Sequence, residues 1–335
     1  MRHREEAPGT WVATHDIEAM LELRASDELA PWLAQRLSER FSKVRQRVLR
    51  VYSGRATRVK GPAALEAYSV LDPSLPEPAA SVGLDAALLG AIRSRAPITR
   101  VSAPGGARLL AALSGGGEVR YVIELSGAMP LAGPGPDVMH FVSIVAKYFE
   151  RLVDAETDPL TRLADRRVFH HHVDAGLRRW TGSGRPHFFA ILDIDHFKRI
   201  NDGFGHLYGD EILVLFANLM RRTFRAGDLL YRYGGEEFIV IYGVEPGHGG
   251  ESAMERFRAA MQAYEFPGVG QVTVSAGFTR IADASTPAAI LIDRADQALY
   301  YAKEHGRNRV CSWDALIAAG QLLPKATVNK DVTLF

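Results

Sequence analysis

The chain has 335 residues, of which 47% are hydrophobic and 24% are charged, and 40 basic against 39 acidic side chains give a formal net charge of +1. This is the composition of an ordinary globular protein of about two domains, and the even charge balance argues against a nucleic-acid partner. A single cysteine, Cys311, excludes an internal disulfide framework. Because we find neither an apolar run of about 18 residues nor the apolar core of a signal peptide, we expect a cytoplasmic protein without a membrane span.

Residues 1–136 begin with a helical pattern and continue with strand-forming runs. Apolar side chains recur at helical spacing from Leu29 to Phe41, and Leu84–Arg93 predicts a second helix. The predicted strands are Val48–Tyr52, Leu109–Ala112 and Val119–Leu125. The stretch Pro130–Pro136 is rich in proline and glycine and continues neither a helix nor a strand, so it marks the end of a smaller α/β domain.

Residues 137–157 predict a helix that connects this domain to the next. Its apolar residues are spaced alternately by three and four positions: Val138, Phe141, Val145, Tyr148, Leu152 and Ala155. This heptad spacing favours a coiled-coil-like helix that pairs with a second copy. An amphipathic helix packed on its own domain would carry a similar pattern, so both interpretations stay open.

Residues 158–313 predict a second compact domain. Phe188–Ile194 is a continuous apolar run typical of a strand buried on both faces. The other predicted elements are helices at Asp210–Arg222, Ser252–Tyr264 and Pro287–Glu304, and strands at Leu229–Tyr233, Phe238–Tyr242 and Val272–Phe278. This β-α-β-β-α-β-α order predicts an α+β fold, with a mixed sheet flanked by helices. Residues 314–335 form a tail without a recognisable pattern.

Carboxylates lie where two of these strands end. Asp193 and Asp195 close the buried strand, and Glu236 and Glu237 follow a two-glycine turn. If the strands are neighbours, Asp193 and one of the glutamates converge, and converging carboxylates suit Mg²⁺ shared with substrate phosphates. The alternative is an exposed hairpin with solvated acids.

Other polar residues are candidates for binding a phosphorylated ligand. Lys198, Lys303 and Arg307 could contact phosphates. Asn201 and Asp210 flank a glycine-rich loop, and together they could recognise the donors and acceptors of a guanine edge. By spacing alone, Asn201 could instead cap a turn and Asp210 the start of the next helix.

Several motifs then follow in order: DIDHFK at 193–198, ND at 201–202, GH at 205–206, GD at 209–210 and RYGGEEF at 232–238. Together they closely resemble the GGDEF family of diguanylate cyclases. DPLTRL at 158–163 and GRN at 306–308 extend the resemblance over the second domain. One departure is Asp165, where the family usually has Asn; it concerns the start of the domain rather than its acids.

The resemblance implies a palm-like domain that joins two GTP into cyclic di-GMP and two pyrophosphates as a homodimer. Asp193, the backbone of Ile194 and Glu236 would hold Mg²⁺, with Mn²⁺ as a substitute, and Glu237 would complete the catalytic turn. Asn201 and Asp210 would bind guanine, and Lys198, Lys303 and Arg307 the phosphates. Gly234 and Gly235 would leave room for the nucleotide.

The resemblance also implies a site for inhibition by the product. Arg225 and Asp228 form an R-x-x-D motif separated from Gly234 by five residues, the family's spacing for an inhibitory cyclic di-GMP site. Arg256 or Arg258 would supply a further arm of this site.

The N-terminal domain loosely resembles a GAF-like sensory domain, with a PAS-like or another α/β domain as alternatives, and we expect it to respond to an unidentified ligand or partner. For the whole chain, the alternative to a regulated cyclase is a silent module that binds GTP or cyclic di-GMP without turnover. Cyclisation of another nucleotide pair is a more remote alternative.

Overall fold

The computed structural model of the chain describes residues 14–23, 25–40, 44–53, 65–69, 85–103, 106–116, 118–127, 136–182, 185–225, 227–283 and 285–323. It divides the chain into two compact units, Met1–Phe169 with Arg225–Gly227, and His170–Phe224 with Asp228–Phe335. Most of the predicted boundary Pro130–Pro136 lies outside the described residues. No helix among the described residues is long and apolar enough to cross a bilayer.

The first unit is built on an antiparallel sheet. Its elements are α1 Thr14–Glu22, α2 Ser26–Arg40, β1 Val44–Ser53, β2 Leu65–Ser69, α3 Ala86–Ser94, β3 Ile98–Ala103, β4 Gly106–Gly115, β5 Glu118–Gly127, α4 Pro136–Glu156 and β6 Ala164–Asp165. Among the described residues, five strands pair in the order β2-β1-β5-β4-β3. The predicted helices and strands of this region are present, and each strand is longer than its apolar run.

This sheet buries side chains on both faces, because successive residues of a strand point to opposite sides. Val48 belongs to a core cluster that also contains residues of α1, α2 and α4. Leu49, the next residue, belongs to a second cluster that contains residues of α3. The helices therefore cover the sheet from two sides.

Helix α4 is part of the first unit's core. Phe141, Val145 and Phe149 are at most 1% exposed and pack in the same cluster as α2. The hydroxyl of Tyr148 donates a hydrogen bond to the carbonyl oxygen of Leu23 at 3.1 Å. This packing corresponds to the alternative of an amphipathic helix on its own domain, and the pairing of two such helices stays a prediction.

Helix α5, Arg166–Gly182, leads into the second unit. The elements that follow are β7 His187–Ile194, α6 Phe197–Phe204, α7 His206–Thr223, β8 Leu229–Arg232, β9 Glu237–Gly243, α8 Glu251–Gln262, β10 Glu265–Phe266, β11 Gly270–Gln271, β12 Val274–Ile281, α9 Ala288–Glu304, β13 Val310–Ser312 and α10 Trp313–Ala318. Helix α10 extends into the tail 314–335, for which no pattern was recognised, and residues 324–335 lie outside the described ones.

Five strands of this unit pair in the order β13-β12-β7-β9-β8. The β12–β13 pair is parallel and the other three pairs are antiparallel, so the predicted mixed sheet is confirmed. Strand β7 lies in the middle, and seven of its eight residues are buried. A central strand needs apolar side chains on both faces, which explains the apolar run FFAIL.

Helix α9 packs on β12 with its backbone unusually close to the strand. A Cβ atom on Gly277 would lie 2.1 Å from the carbonyl oxygen of Ala295 and 2.2 Å from the amide nitrogen of Leu299. Gly277 therefore provides the space for the helix backbone. The last turn of the same helix carries Lys303, so this contact also determines where that lysine lies.

Candidate active site

The acidic ends of β7 and of the β8–β9 hairpin lie side by side. In the antiparallel β7–β9 pair, Asp193 is directly opposite Glu237. The amide of Ile194 donates a hydrogen bond to the carbonyl oxygen of Glu236 at 3.4 Å. The convergence predicted from the sequence is therefore present: Asp193 and the two glutamates occupy one end of neighbouring strands.

Asp193 is 5% exposed, although it is a carboxylate. Its Oδ2 atom lies 2.8 Å from the Nζ atom of Lys303. Burial raises the pKa of Asp193 above its ordinary value, and the charge of Asp195 raises it further, while Lys303 and Arg307 act in the opposite direction. The basic neighbours thus offset only part of the free-energy cost of ionising Asp193 in its buried position.

Glu236 is in a similar electrostatic position. Its pKa is raised by burial first and then by the charges of Asp193 and Glu237, against the effect of Lys303. Repulsion between neighbouring carboxylates is relieved when a cation binds between them. The donor set, two carboxylates and a strand-end carbonyl, fits a hard divalent cation that completes its coordination with water or phosphate oxygens.

This set is small. Among the described residues, no group of three or more His, Cys, Asp or Glu side chains is arranged to hold a metal ion. Two carboxylates are the number that suits a cation shared with a substrate, since protein cages of many carboxylates are not the usual Mg²⁺ site.

The two glycines of the hairpin have different surroundings. The amides of Tyr233 and Gly234 both donate to the carbonyl oxygen of Glu237, which closes the turn. A Cβ atom on Gly234 would lie 2.6 Å from Oε2 of Glu237, whereas a Cβ atom on Gly235 would meet no described atom within 4 Å. Gly234 therefore makes room for Glu237 itself, and the open space expected for a nucleotide lies at Gly235.

The predicted guanine-binding residues are held together by close packing of α6 against α7. Asn201 lies on α6, and its Oδ1 atom would be 2.0 Å from a Cβ atom on Gly209. Gly209 directly precedes Asp210 on α7, so the two predicted residues are brought to one place. Since α7 begins at His206, Asp210 lies inside the helix and does not cap it.

The three predicted phosphate-binding residues come from two parts of the unit. Lys198 is exposed in the first turn of α6. Lys303 pairs with Asp193, and Arg307 lies close enough to lower the pKa of Asp193. The ion pair between Lys303 and Asp193 was not predicted from the sequence.

The residues predicted for the inhibitory site have separate hydrogen-bond partners. Asp228 accepts a hydrogen bond from the amide of Gly243 at 3.2 Å, and Arg256 donates to the carbonyl oxygen of Thr223 at 3.0 Å. Arg225 is exposed. Arg258, the alternative to Arg256, donates to Oδ1 of Asn308 at 2.9 Å.

Part of the chain is similar to known proteins. Residues 155–309 match the family model described as diguanylate cyclase, GGDEF domain. Over 159 residues the chain is 42% identical to the diguanylate cyclase DgcP of Pseudomonas aeruginosa, covering 47% of this chain and 24% of that protein. It is 41% identical over 162 residues to the response regulator PleD of Caulobacter vibrioides, covering 47% of this chain and 36% of PleD. The chain thus spans less than half the length of these two curated relatives.

The chain also resembles solved structures over nearly their whole length. The GGDEF domain of DgcB from Caulobacter crescentus, crystallised in complex with c-di-GMP, is 34% identical, with 48% of this chain and 97% of that chain covered and a TM-score of 0.45. Residues 155–309 of the chain are thus similar to the GGDEF domain of diguanylate cyclases.

Proposed function

We propose that the chain is a diguanylate cyclase that joins two GTP into cyclic di-GMP and releases two pyrophosphates. The observation that supports this most directly is the cluster of Asp193, Glu236 and Glu237 at one strand end, with Lys303 and Arg307 beside it. Such a cluster combines carboxylates that can bind a cation with positively charged side chains that can bind phosphates. Asn201 and Asp210 add a pair suited to guanine.

We propose Mg²⁺ as the resident cation, held by Asp193, Glu236 and the backbone carbonyl of Ile194, with Mn²⁺ as a substitute. When bound, the cation lowers the pKa of the attacking 3′-hydroxyl and screens the charge on the phosphoryl oxygens. Lys198, Lys303 and Arg307 would hold the triphosphate. Glu236 or Glu237, both at the hairpin, would take the hydroxyl proton.

The proposed reaction requires two copies of the site. Each domain would hold one GTP, and the 3′-hydroxyl of one nucleotide would attack the α-phosphate of the other, twice. Two half-sites that face each other are most simply related by a two-fold axis, so we propose a homodimer. The decisive assay is the formation of cyclic di-GMP from GTP and Mg²⁺ by the purified chain.

The alternative is a silent module that binds GTP or cyclic di-GMP without turnover. The filled set of acids, glycines and basic residues favours the enzyme. Tight cyclic di-GMP binding without turnover, persisting after bound product is removed, would favour the silent module. ATP accepted as readily as GTP would overturn the guanine assignment to Asn201 and Asp210.

We also propose that the product inhibits the enzyme at Arg225, Asp228 and Arg256, on the basis of the R-x-x-D spacing before Gly234. Arginine can donate two parallel hydrogen bonds to a phosphate or a guanine edge, which alanine cannot. We therefore expect Arg225→Ala to raise the half-inhibitory concentration of cyclic di-GMP at least about tenfold. The measurement is the initial rate against added product, and Arg222→Ala, an exposed arginine at the end of α7, is the control. Unchanged inhibition in Arg225→Ala would contradict the assignment.

We propose that the first unit regulates the cyclase as a GAF-like sensory domain, supported by its sheet with helices on both faces. A contact at the end of α4 suggests how. The buried carboxylate of Glu156 accepts hydrogen bonds from the amide of Ser26 at 2.6 Å and from its hydroxyl at 2.5 Å. Ser26 is the first residue of α2, where the helix dipole favours a negative charge. The last residue of the connecting helix is thus fixed to the sensory unit.

If this contact transmits a signal, its loss should change enzyme output. We expect Glu156→Ala to change the rate of cyclic di-GMP formation at least about threefold, because α4 loses its hold two residues before the DPLTRL motif begins. Glu150→Ala, an exposed glutamate on the same helix, is the control and should resemble the wild type. Equal rates in wild type and Glu156→Ala would argue that the contact only stabilises the unit.

A further inference from the structure

Asp195 has a different environment from Asp193, although both come from the same strand end. Strand β7 ends at Ile194, and Asp195 lies just beyond it, 5% exposed. Its Oδ1 atom accepts a hydrogen bond from the hydroxyl of Ser275 at 2.7 Å, and its Oδ2 atom accepts one from the hydroxyl of Thr273, also at 2.7 Å. Both oxygens are therefore engaged by the neighbouring chain segment at β12.

A third bond links Asp195 to the turn that carries Arg307. The amide of Asn308 donates to Oδ2 of Asp195 at 3.0 Å, across 113 positions of sequence. This bond goes to the backbone of the turn and does not depend on the side chain at 308. Asp195 thus joins the end of the central strand to the residue that follows a candidate phosphate-binding arginine.

The turn needs such support because its backbone is strained. Gly306, Arg307 and Asn308 have φ angles of 108°, 60° and 45°, all in the left-handed region. Glycine adopts this region freely, but side chains with a Cβ atom rarely do, and they persist there only when surrounding contacts hold them. The amide of Arg307 also donates to the carbonyl oxygen of Ala302, which closes the end of α9.

The same turn is held from its other side by α8. Arg258 donates to Oδ1 of Asn308 at 2.9 Å and is itself fixed by Glu255 and Gln262 on its own helix. The backbone amide of Asn308 is thus bound by Asp195 and its side chain by Arg258. Arg307 projects from a turn whose conformation these two contacts define.

We propose that Asp195 is a positioning residue for nucleotide binding. It holds the Arg307–Asn308 backbone in its left-handed conformation and so fixes the guanidinium of Arg307 where it can meet the triphosphate. This inference rests on the proposed function for its ligand, GTP. It assigns the effect of Asp195 to its hydrogen bonds and not to its charge near the cation.

Asparagine separates these two effects, because it keeps the shape of aspartate and loses the charge. In Asp195→Asn the amide oxygen can accept from Thr273 and Asn308, and the amide group can donate to the hydroxyl of Ser275, since a hydroxyl also accepts. In Asp195→Ala all three bonds are lost. Asp195→Ser, whose side chain is too short to reach Asn308, replaces the alanine variant if that does not fold.

The readout is the affinity of the full chain for a fluorescent GTP analogue, measured with and without Mg²⁺. We expect Asp195→Ala to weaken binding at least about tenfold and Asp195→Asn to recover most of this loss. Ser275→Ala is the matched control, because it removes a bond to Asp195 that does not touch the turn, and it should stay within about twofold of wild type. Equal losses in the alanine and asparagine variants would overturn the proposal in favour of a charge effect.

A double-mutant cycle with Arg307→Ala tests whether Asp195 acts through that arginine. If it does, Asp195→Ala should weaken binding of the GTP analogue less than about twofold in a chain that already carries Arg307→Ala. Additive losses would show a general structural role and overturn the proposal. If the wild-type chain binds GTP but makes no cyclic di-GMP, the proposed cyclase activity is contradicted and the comparison of Asp195 variants still holds. If the wild-type chain binds no GTP, both the proposed activity and the positioning role of Asp195 are overturned.

Discussion

Asp193→Asn should reduce the rate of cyclic di-GMP formation by at least about a thousandfold. The amide keeps the size of the side chain but cannot balance the charge of a divalent cation, and a loss of several kcal/mol of charge stabilisation corresponds to about three powers of ten in rate. The measurement is product formation at saturating GTP and Mg²⁺. A metal chelator added to the wild type should have the same effect, and Mg²⁺ should reverse it.

The same substitution should leave the folded state intact or make it more stable. Because the pKa of Asp193 is raised in the folded protein, its ionised form is less favourable there than in the unfolded chain. An uncharged amide removes this cost at neutral pH, although Lys303 loses its partner. Loss of activity at an unchanged or higher melting temperature would therefore separate function from stability.

A matched control removes one carboxylate at an unrelated position. Asp296 is exposed on α9, the helix that also carries Lys303. Asp296→Asn should retain wild-type activity, because an exposed single charge contributes little to either stability or the site. Product formation by Asp193→Asn at the rate of this control would contradict both the metal site and the cyclase mechanism.

Gly277→Ala should strongly destabilise the second unit. The added Cβ atom would overlap Ala295 and Leu299 at their backbone atoms, which cannot rotate away as a flexible side chain could. Relief requires α9 to move away from β12. We expect a loss of about 3 kcal/mol, and for a domain of this size that lowers the melting temperature by about 6–12 °C.

The displacement should also affect the site, because Lys303 lies one turn beyond the contact on the same helix. Below its melting temperature, Gly277→Ala should therefore show weaker GTP binding than the wild type. Gly203→Ala is the control: a Cβ atom there meets no described atom within 4 Å, and alanine is favoured over glycine inside a helix. A melting temperature for Gly277→Ala equal to that of Gly203→Ala would contradict this prediction, because it would show that α9 can move away from β12 without a loss in the free energy of unfolding.

The sequence predicted most elements of the second unit at nearly their observed positions. The apolar run at 188–194 became strand β7, and the two-glycine turn became the β8–β9 hairpin. Both are local signals, because a buried strand requires consecutive apolar residues and a tight turn requires small residues such as glycine. Strand β13 and the β10–β11 pair were missed, since two or three residues are too few to show a period.

The connecting helix shows where a local pattern is ambiguous. Its heptad spacing predicted a helix, favouring one that pairs with a second copy, but spacing does not reveal what covers the apolar face. In the structure Phe141, Val145 and Phe149 pack inside the first unit. The partner of an apolar stripe is a property of tertiary packing, so both interpretations were compatible with the sequence.

The sequence by itself determined the set of chemical groups and their order along the chain. These groups are two strand-end acids, a glycine turn with two glutamates, and the basic residues Lys303 and Arg307 at or just beyond the end of α9. Tertiary structure alone decided which of these groups meet. The ion pair of Lys303 with Asp193 and the bond from Asn308 to Asp195 each join residues more than a hundred positions apart. Such contacts depend on how closely α9 approaches the sheet at Gly277, and no local periodicity records that distance.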